Sequence, residues 1–394
     1  MSELFQVCLA ASSVPPAVGG VEVFLGTHAR LLAERGIVVH LLCGNQPTAS
    51  LRDVVERSGG TVEVVQDRAP ADAMPWEYYT FQRAERLFDL LDRTGCQVVH
   101  AASHDVALAG AIAKRARPGT TLVTAFGEMA TETGEFGVGR TRFICELREI
   151  DLFVAWSRYY QSKFREHGVH DSRVRLVYAG VETELFGRGE RDRGRDRLGI
   201  ADDRFVICCP SRFSARKGQR DLVAAIAAAA ADLPAFHVVF TGSVHSGSVE
   251  YLNAVKQDVA AAGLDPRVTF ALDVDFAELP DILAAADLVV QPSHREGLGG
   301  AALEAMSAGR CVLLTRTTGF DEIAEPDRTA AFTDPASPDT MAADIIRLAR
   351  DPERRAEIGA RAASHAKEYF DAGLATDGLI EVYREARSLA SRRA

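Results

Sequence analysis

Short apolar runs alternate with helical patterns along nearly the whole chain, and this alternation constrains the fold most strongly. The runs include LFQVCLA, IVVHLLCG and CQVVHAA in the first half, and RFVICCPS, FHVVFTG and DLVVQPS in the second. They are continuously apolar and rich in Val, Ile and Leu, as parallel strands covered on both faces are. Repeated strand–helix–strand order predicts doubly wound parallel sheets of the α/β class.

The alternation breaks once, at residues 187–203. This stretch, GRGERDRGRDRLGIADD, is charged and poor in large apolar residues, which is typical of a linker. A chain of 394 residues is also too long for one ordinary core. We therefore predict two Rossmann-like domains, over 1–186 and 204–372, joined by a linker at 187–203.

The end of the chain reads as helical from about residue 339, and 373–394 are expected to form a helix that packs back on the N-terminal domain. Ligands of doubly wound sheets bind beyond the carboxyl ends of the strands. We therefore expect the two domains to face each other across a ligand-binding cleft.

Composition argues against several classes of function. The net charge of −10 disfavours non-specific nucleic-acid binding. No run of about 18 apolar residues is present, so we predict no membrane-spanning helix. The start MSELFQVCLAASS lacks a basic segment, which favours a cytoplasmic protein without a signal peptide. The seven cysteines are scattered without a CxxC, as buried reduced thiols are.

Two loops of the C-terminal half carry residues suited to a diphosphate. In PSRFSARKGQRDL, Arg212 and Lys217 follow an apolar run and precede a helix. Charge-assisted hydrogen bonds from such cations contribute roughly 1.5–3 kcal/mol each. In SHREGLGG the glycines free the amides of 298–301, where a helix begins near Gly300, to face an anion. Taken alone, the basic loop is better explained as two exposed cations.

Two acids bracket the glycine turn. Glu296 precedes it, and Glu304 lies about one turn into the following helix. Because phosphate repels a carboxylate, Glu296 is expected to face a sugar rather than the anion. Glu304 could accept hydrogen bonds from the hydroxyls of a ribose. The alternative is a pair of unrelated surface acids.

The N-terminal half offers weaker candidates. Gly19 and Gly20 precede a helix, where backbone amides can meet a phosphate, although a plain turn explains the pair better when it is taken alone. His104 and Glu128 follow neighbouring apolar runs and could act as acid–base groups. The alternative for His104 is a role in capping the next helix.

One pair of acids has the spacing of a metal site. Asp273 and Asp275 could hold a divalent cation beside a nucleotide diphosphate, but no further ligands accompany them in sequence. We predict that the protein binds no metal.

The order of these segments resembles the family-4 retaining glycosyltransferases, which have the GT-B fold. The resemblance covers nearly the whole chain. Three segments carry it: PSRFSARKGQRDLVAAI, VRLVYAGVETELF, and RVTFALDVDFAELPDILAAADLVVQPSHREGLGGAALEAMSAGRCVLLTRTTGF with its E-x7-E motif. The use of Arg in place of most Lys, with abundant Ala, suggests a bacterial chain.

The resemblance implies roles for individual residues. Arg212 and Lys217 would hold the donor diphosphate and stabilise the departing charge, and Glu296 would bond the hydroxyls of the donor sugar. Glu304 would bind the ribose. The remaining donor contacts would come from the backbones of Leu298, Gly299 and Gly300 and, in the other domain, of Gly19 and Gly20. The family retains the anomeric configuration and uses neither metal nor cofactor.

The sequence departs from the family at Phe126, which stands where the family has a histidine that contacts the donor sugar near its 6-hydroxyl. Phe forms no conventional hydrogen bond, and a buried hydroxyl facing it would lose roughly 1–3 kcal/mol. This favours a donor sugar that lacks a 6-hydroxyl or is turned differently. The alternative is a local shift of the alignment, with Glu128 or His104 in place of the histidine.

We therefore predict a metal-independent glycosyltransferase that moves a hexose or pentose from a nucleotide-diphosphate sugar, by family usage UDP, to a hydroxyl of a small soluble acceptor. Several acids near 77 and 128–135 would suit an amino-bearing acceptor, such as an aminocyclitol of an antibiotic pathway, although solvated loops would look the same. No stable membrane association is expected. The alternatives are a GT-B nucleotide-sugar epimerase or hydrolase, and an inactive sugar-nucleotide-binding partner.

Overall fold

The structure is a computed structural model that describes residues 5–16, 19–65, 76–125, 138–244 and 246–391. The chain divides into two compact units. Unit 1 consists of residues 1–179 and 372–394, and unit 2 of residues 180–371. Each contains one parallel sheet with helices, so the predicted class of two doubly wound α/β domains is confirmed.

Unit 1 contains a seven-stranded sheet within the described residues. Its strands are β1 (Gln6–Ala11), β2 (Val38–Cys43), β3 (Val62–Val64), β4 (Val98–Ala101), β5 (Thr121–Ala125), β6 (Leu152–Ala155) and β7 (Val174–Leu176). Its helices, numbered along the whole chain, are α1 (Gly20–Glu34), α2 (Ala49–Arg57), α3 (Trp76–Thr94), α4 (His104–Ala116), α5 (Val138–Glu146), α6 (Arg158–Glu166) and α16 (Ala372–Ser391). The strand order is β3-β2-β1-β4-β5-β6-β7, with every pair parallel.

The sheet of unit 1 is covered on both faces. One buried cluster joins alternate strand residues to α1, α2 and α16, and a second joins the intervening residues to α3, α4, α5 and α6. Strands buried on both faces need mostly apolar residues, which explains their hydrophobic runs.

The last helix of the chain, α16, is part of the core of unit 1. Tyr383 is fully buried, and its hydroxyl lies 2.6 Å from Nδ1 of His100 on β4. Nδ1 of His28 on α1 lies 2.7 Å from the hydroxyl of Thr376, which itself donates to the Ala372 carbonyl. His28 must therefore donate through Nδ1, and burial lowers its pKa to about 3. These contacts anchor α16 to both α1 and β4.

Unit 2 contains a six-stranded sheet within the described residues. Its strands are β8 (Phe205–Pro210), β9 (Phe236–Gly242), β10 (Val268–Leu272), β11 (Leu288–Gln291), β12 (Val312–Thr315) and β13 (Ala331–Thr333). Its helices are α7 (Thr183–Gly187), α8 (Arg191–Leu198), α9 (Gln219–Ala229), α10 (Val249–Ala261), α11 (Leu279–Ala285), α12 (Gly300–Ser307), α13 (Thr318–Ile323), α14 (Pro338–Ala349) and α15 (Pro352–Tyr369). The strand order is β10-β9-β8-β11-β12-β13, again parallel throughout.

The stretch 187–203, which composition suggested as a linker, belongs to unit 2 and contains α8. Arg195 at its centre is only 1% exposed. Its guanidinium donates to the main-chain carbonyls of Ala201, Asp202, Arg204 and Ala285, and to the carboxylate of Asp287 at 2.8 Å. A buried cation with all these partners fixes the segment to the body of the unit.

None of the helices in the described ranges combines the length and apolar content needed to cross a bilayer. All seven cysteines are buried and unpaired, as predicted. Burial raises the pKa of the Cys96 thiol to about 11, so it remains protonated at neutral pH.

Candidate active site

Two loops of unit 2 lie at the same edge of its sheet. The cationic loop, residues 211–218, follows β8, and the glycine loop, residues 292–299, follows β11. Strands β8 and β11 are parallel neighbours, so both loops leave from the carboxyl edge, where such sheets bind ligands. The sheet therefore brings together the two segments that the sequence singled out separately.

The two loops are bonded to each other through their backbones. The amide of His294 donates to the carbonyl of Arg216 at 2.8 Å. Gly218 has a φ of +67°, and a side chain there would collide with the carbonyl of Pro292. Only glycine satisfies both the left-handed backbone and this close approach. The loops thus form one structural element.

Lys217 and Glu296 form a buried ion pair across the two loops. The side chains are 11% and 10% exposed, and the ammonium of Lys217 donates to Oε2 of Glu296. The hydroxyl of Ser293 also donates to Oε2, at 3.3 Å, and Nη1 of Arg216 lies 3.8 Å from Oε1. Burial acts to raise the pKa of Glu296, but the Lys217 ammonium outweighs it and holds this pKa below its ordinary value. Glu296 is therefore a carboxylate.

The start of α12 is open beside this pair. Gly299 has a φ of +102°, and a Cβ there would lie 2.6 Å from the ring of Phe320. At Gly300, in contrast, a Cβ would meet no atom within 4 Å. Glycine at 299 is required by backbone and packing, whereas Gly300 leaves free space at the helix N-terminus. Such a terminus with accessible amides favours an anion.

Glu304 lies in the second turn of α12 and is half-buried. Within the described residues its carboxyl group forms no hydrogen bond or ion pair. Burial raises the pKa of Glu304 to about 8, from an ordinary value of 4.5. The group is therefore mostly neutral at pH 7, in contrast to Glu296 eight residues earlier.

In unit 1, Gly19 and Gly20 form the start of α1, as the sequence suggested. The carboxylate of Glu22, in the first turn, folds back over Gly19. It accepts a hydrogen bond of 2.5 Å from the hydroxyl of Ser13. A carboxylate of the chain itself therefore lies beside the Gly19 backbone.

His104 and Asp105 lie at the start of α4, beyond the end of β4, and both are buried. Nε2 of His104 lies 3.2 Å from the hydroxyl of Thr141, and burial lowers the pKa of His104 to about 4. Asp105 forms a buried ion pair with Arg83 and accepts a hydrogen bond from Ser12 at 2.7 Å. The neighbouring candidates Phe126 and Glu128 lie outside the described residues.

The acids of the possible metal motif act as backbone acceptors. Asp273 accepts from the amide of Val244 and Asp275 from the amide of Ala277, both at 3.0 Å. Across the described ranges, no group of three or more His, Cys, Asp or Glu side chains lies together as a metal site would require.

Three residues of this region were not predicted from the sequence. Arg216 and Ser293 approach Glu296 directly, and Gln219, the first residue of α9, binds the backbone of the cationic loop. Arg216 had a local signal, since it adjoins Lys217 in the same basic loop. Ser293 and Gln219 had none, because their partners are set by the tertiary structure.

Comparison with known protein families covers both units. Residues 18–185 match the model of Glycosyltransferase Family 4, and residues 190–365 match that of Glycosyl transferases group 1. The chain is built from two glycosyltransferase domains. The group 1 domain contains both loops of the candidate site, and the family 4 domain contains Gly19, Gly20 and His104.

Relatives of these glycosyltransferase domains align over nearly their full length. D-inositol 3-phosphate glycosyltransferase of Acidothermus cellulolyticus is 29% identical over 404 residues, which covers 95% of this chain and 87% of that protein. D-inositol 3-phosphate glycosyltransferase 1 of Catenulispora acidiphila is 29% identical over 388 residues, with 93% and 91% covered.

Solved structures share the fold of this glycosyltransferase chain. Anabaena Alr3699/HepE, solved in complex with UDP-glucose, superimposes with a TM-score of 0.81 at 23% identity, over 96% of this chain and 99% of that one. WaaG, a glycosyltransferase involved in lipopolysaccharide biosynthesis, superimposes with a TM-score of 0.70 at 16% identity, over 95% and 99%. These likenesses show the GT-B fold.

Proposed function

We propose that the protein transfers a sugar from a nucleotide-diphosphate sugar to a hydroxyl of a small acceptor, with retention of the anomeric configuration and without a metal ion. The observation that carries the proposal is the buried pair of Lys217 and Glu296 at the carboxyl edge of the unit 2 sheet. The pair places a fixed cation and a fixed carboxylate side by side, next to an open helix N-terminus.

The charges of the site suit a diphosphate. Arg216 and Lys217 lie beside one carboxylate, that of Glu296, and Arg212 belongs to the same loop. The loop therefore supplies three cations that could pair with the two negatively charged phosphates of a nucleotide-diphosphate sugar. The same cations would stabilise the charge that develops on the leaving diphosphate, since preorganised donors act most strongly where charge appears in the transition state.

The two acids suit the two ends of such a donor. Glu296, kept ionised by Lys217, can accept hydrogen bonds from the hydroxyls of the donor sugar. Glu304 has no bonding partner in the described structure, and ribose hydroxyls would supply one. The start of α12 between them would receive the diphosphate.

The comparisons support a donor base and an acceptor class. Alr3699/HepE was solved with UDP-glucose, which favours UDP as the carrier. Two aligned relatives are named for D-inositol 3-phosphate, which favours a cyclitol acceptor. We propose that the acceptor is an amino-bearing cyclitol of an antibiotic pathway and that the reaction takes place in the cytoplasm. The presence of Phe126 further suggests a donor sugar without a 6-hydroxyl.

A screen of nucleotide sugars against acceptors tests the proposal. UDP-glucose, UDP-xylose and a UDP-6-deoxy sugar are each combined with inositol, inositol phosphate and aminocyclitols, in parallel samples with EDTA and with Mg²⁺. Products are identified by mass and by anomeric NMR coupling. We expect a glycoside with the donor's anomeric configuration. Inversion or a strict need for metal would refute those parts of the proposal. Donor consumption without acceptor would indicate a hydrolase or an epimerase instead.

The variant Glu296→Gln separates chemistry from nucleotide binding. It removes the carboxylate but keeps the size of the side chain, so we expect turnover to fall by about 100-fold or more while UDP binding changes little. Glu353→Gln, at an exposed acid of α15, is the matched control. Full turnover by E296Q would show that Glu296 does not contact the sugar.

A further inference from the structure

The side chain of Gln219, just after the cationic loop, forms a hydrogen bond with the backbone at the start of that loop. Nε2 of Gln219 donates to the carbonyl of Arg212 at 2.9 Å, across seven residues of chain. The hydroxyl of Ser211 donates to the same carbonyl at 3.3 Å. The backbone position of Arg212 is therefore set by side chains on both sides of it.

Stability does not explain why a glutamine is present at 219. The residue is 0% exposed, and its amide oxygen has no hydrogen-bond partner among the described residues. A buried acceptor without a partner destabilises the folded state, and an apolar side chain of the same length would avoid that loss. What the glutamine provides is the single hydrogen bond to the Arg212 carbonyl.

The partner loop is fixed in a similar way. Nε2 of Gln291, also buried, donates to the carbonyl of Pro210 at 2.7 Å, which ties the end of β11 to the end of β8. The hydroxyl of Thr315 donates to the carbonyl of Ser293 and so holds the start of the glycine loop. Together with the bond from His294 to Arg216, these contacts leave little freedom to either loop.

We propose that Gln219 is a positioning residue for the donor diphosphate, which acts through Arg212. This inference rests on the proposed function. Arg212 lies at the beginning of the loop with an exposed side chain, and the position of its backbone sets where that side chain can reach. Holding that backbone in the binding position before the ligand arrives removes the need to order it on binding. Gln219 therefore raises the affinity for a nucleoside diphosphate without touching it.

A double-mutant cycle tests the inference. The affinity for UDP is measured by calorimetry for the wild-type chain, Gln219→Met, Arg212→Ala and the double variant. R212A alone is expected to weaken binding by at least about tenfold, the worth of a lost charge-assisted hydrogen bond. Q219M alone is expected to weaken it roughly three- to tenfold, the worth of one hydrogen bond. In the R212A background, Q219M is expected to change the affinity for UDP by less than about twofold, because the arginine side chain that Gln219 positions is absent.

Two results overturn the inference. Equal losses from Q219M in both backgrounds would mean that Gln219 affects the whole site rather than Arg212. No loss in the wild-type background would mean that the hydrogen bond does not position the loop. Gln257→Met, at an exposed glutamine of α10, is the control for the introduced methionine.

Two further measurements keep the test interpretable. The thermal midpoint of Q219M is expected to equal or exceed that of the wild type, because the unpartnered oxygen is removed. If Q219M does not fold, Ser211→Ala replaces it in the cycle. The expected loss of UDP affinity is then smaller, because the hydrogen bond from Ser211 to the Arg212 carbonyl is longer than that from Gln219. A wild-type chain that binds none of UDP, GDP and ADP would refute the proposed function, a result distinct from an additive cycle.

Discussion

Replacing Glu304 by glutamine is expected to stabilise the protein and to weaken its binding of nucleotide. The carboxyl group is half-buried in α12 without a partner among the described residues, and burial raises its pKa to about 8. The folded state therefore holds a proton at pH 7 that the unfolded chain, with a pKa near 4.5, has released. Glutamine keeps the size and the neutral state of this group at every pH.

The size of the effect follows from the two pKa values. Each unit of pKa difference corresponds to about 1.36 kcal/mol. Because the folded pKa is the higher one, the free energy of unfolding falls as pH rises from 4.5 towards 8. At pH 7 the wild type is expected to be less stable than Glu304→Gln by about 3 kcal/mol, and at pH 4.5 by nearly nothing.

Urea unfolding at pH 5, 6, 7 and 8, followed by far-ultraviolet circular dichroism, measures this difference. Fluorescence is unsuitable because both tryptophans, Trp76 and Trp156, lie in unit 1. The exposed-acid variant Glu353→Gln is the control, and its stability is expected to parallel that of the wild type. A constant difference between E304Q and the wild type across this range would refute the assignment of a neutral Glu304.

The same variant has an opposite effect on binding. Ribose hydroxyls that donate to Glu304 favour its carboxylate, so UDP binding at pH 7 is expected to release up to one proton from the wild type and none from E304Q. Calorimetry in buffers of different ionisation enthalpy measures this release. E304Q is expected to bind UDP about 10- to 100-fold more weakly, the worth of hydrogen bonds to a charged group. Unchanged affinity would show that the nucleotide does not reach Glu304.

Three further predictions concern other parts of the molecule. Lys217→Met leaves the Glu296 carboxylate buried without its cation, so we expect the free energy of unfolding in urea to fall by about 3–5 kcal/mol. Adding Glu296→Gln is expected to restore most of this stability, and equal stability of the single and double variants would contradict the prediction. Arg216→Ala is expected to weaken UDP binding a few-fold at low salt and less at high salt, and a salt-independent loss would argue against a contact with the diphosphate. Burial lowers the pKa of His100 to about 4, so unit 1 is expected to lose stability as pH falls from 6.5 to 4, and to lose less in His100→Gln. Tryptophan fluorescence measures this loss, and a stability of the wild type that does not change with pH would contradict the prediction.

The fold could be predicted from the sequence because its main signal is local. Parallel strands covered on both faces are mostly apolar, and the strands of both sheets show this. The segment 187–203 differed from its prediction because composition does not reveal tertiary partners. Arg195 reads as a solvated charge in sequence, yet main-chain carbonyls and Asp287 satisfy it in the interior.

The candidate site could be predicted in its components but not in its connections. Cations and glycines around strand ends indicate an anion site by their chemistry alone. The ion pair between Lys217 and Glu296 joins residues 79 positions apart, and no local rule links them. The pKa difference between Glu296 and Glu304 likewise depends on their neighbours in the folded structure, so one side chain is ionised and the other is mostly neutral at pH 7.

The position of α16 has a consequence for how the chain acquires its structure during synthesis. The core of unit 1 includes Leu379 and Tyr383, which leave the ribosome only after all of unit 2. At roughly 5–20 residues per second, translation of residues 180–371 delays completion of that core by on the order of 10 to 40 s. During this interval the faces of α1 and β4 that α16 later covers remain exposed. The second domain, contiguous in the chain, can thus fold before the first is complete.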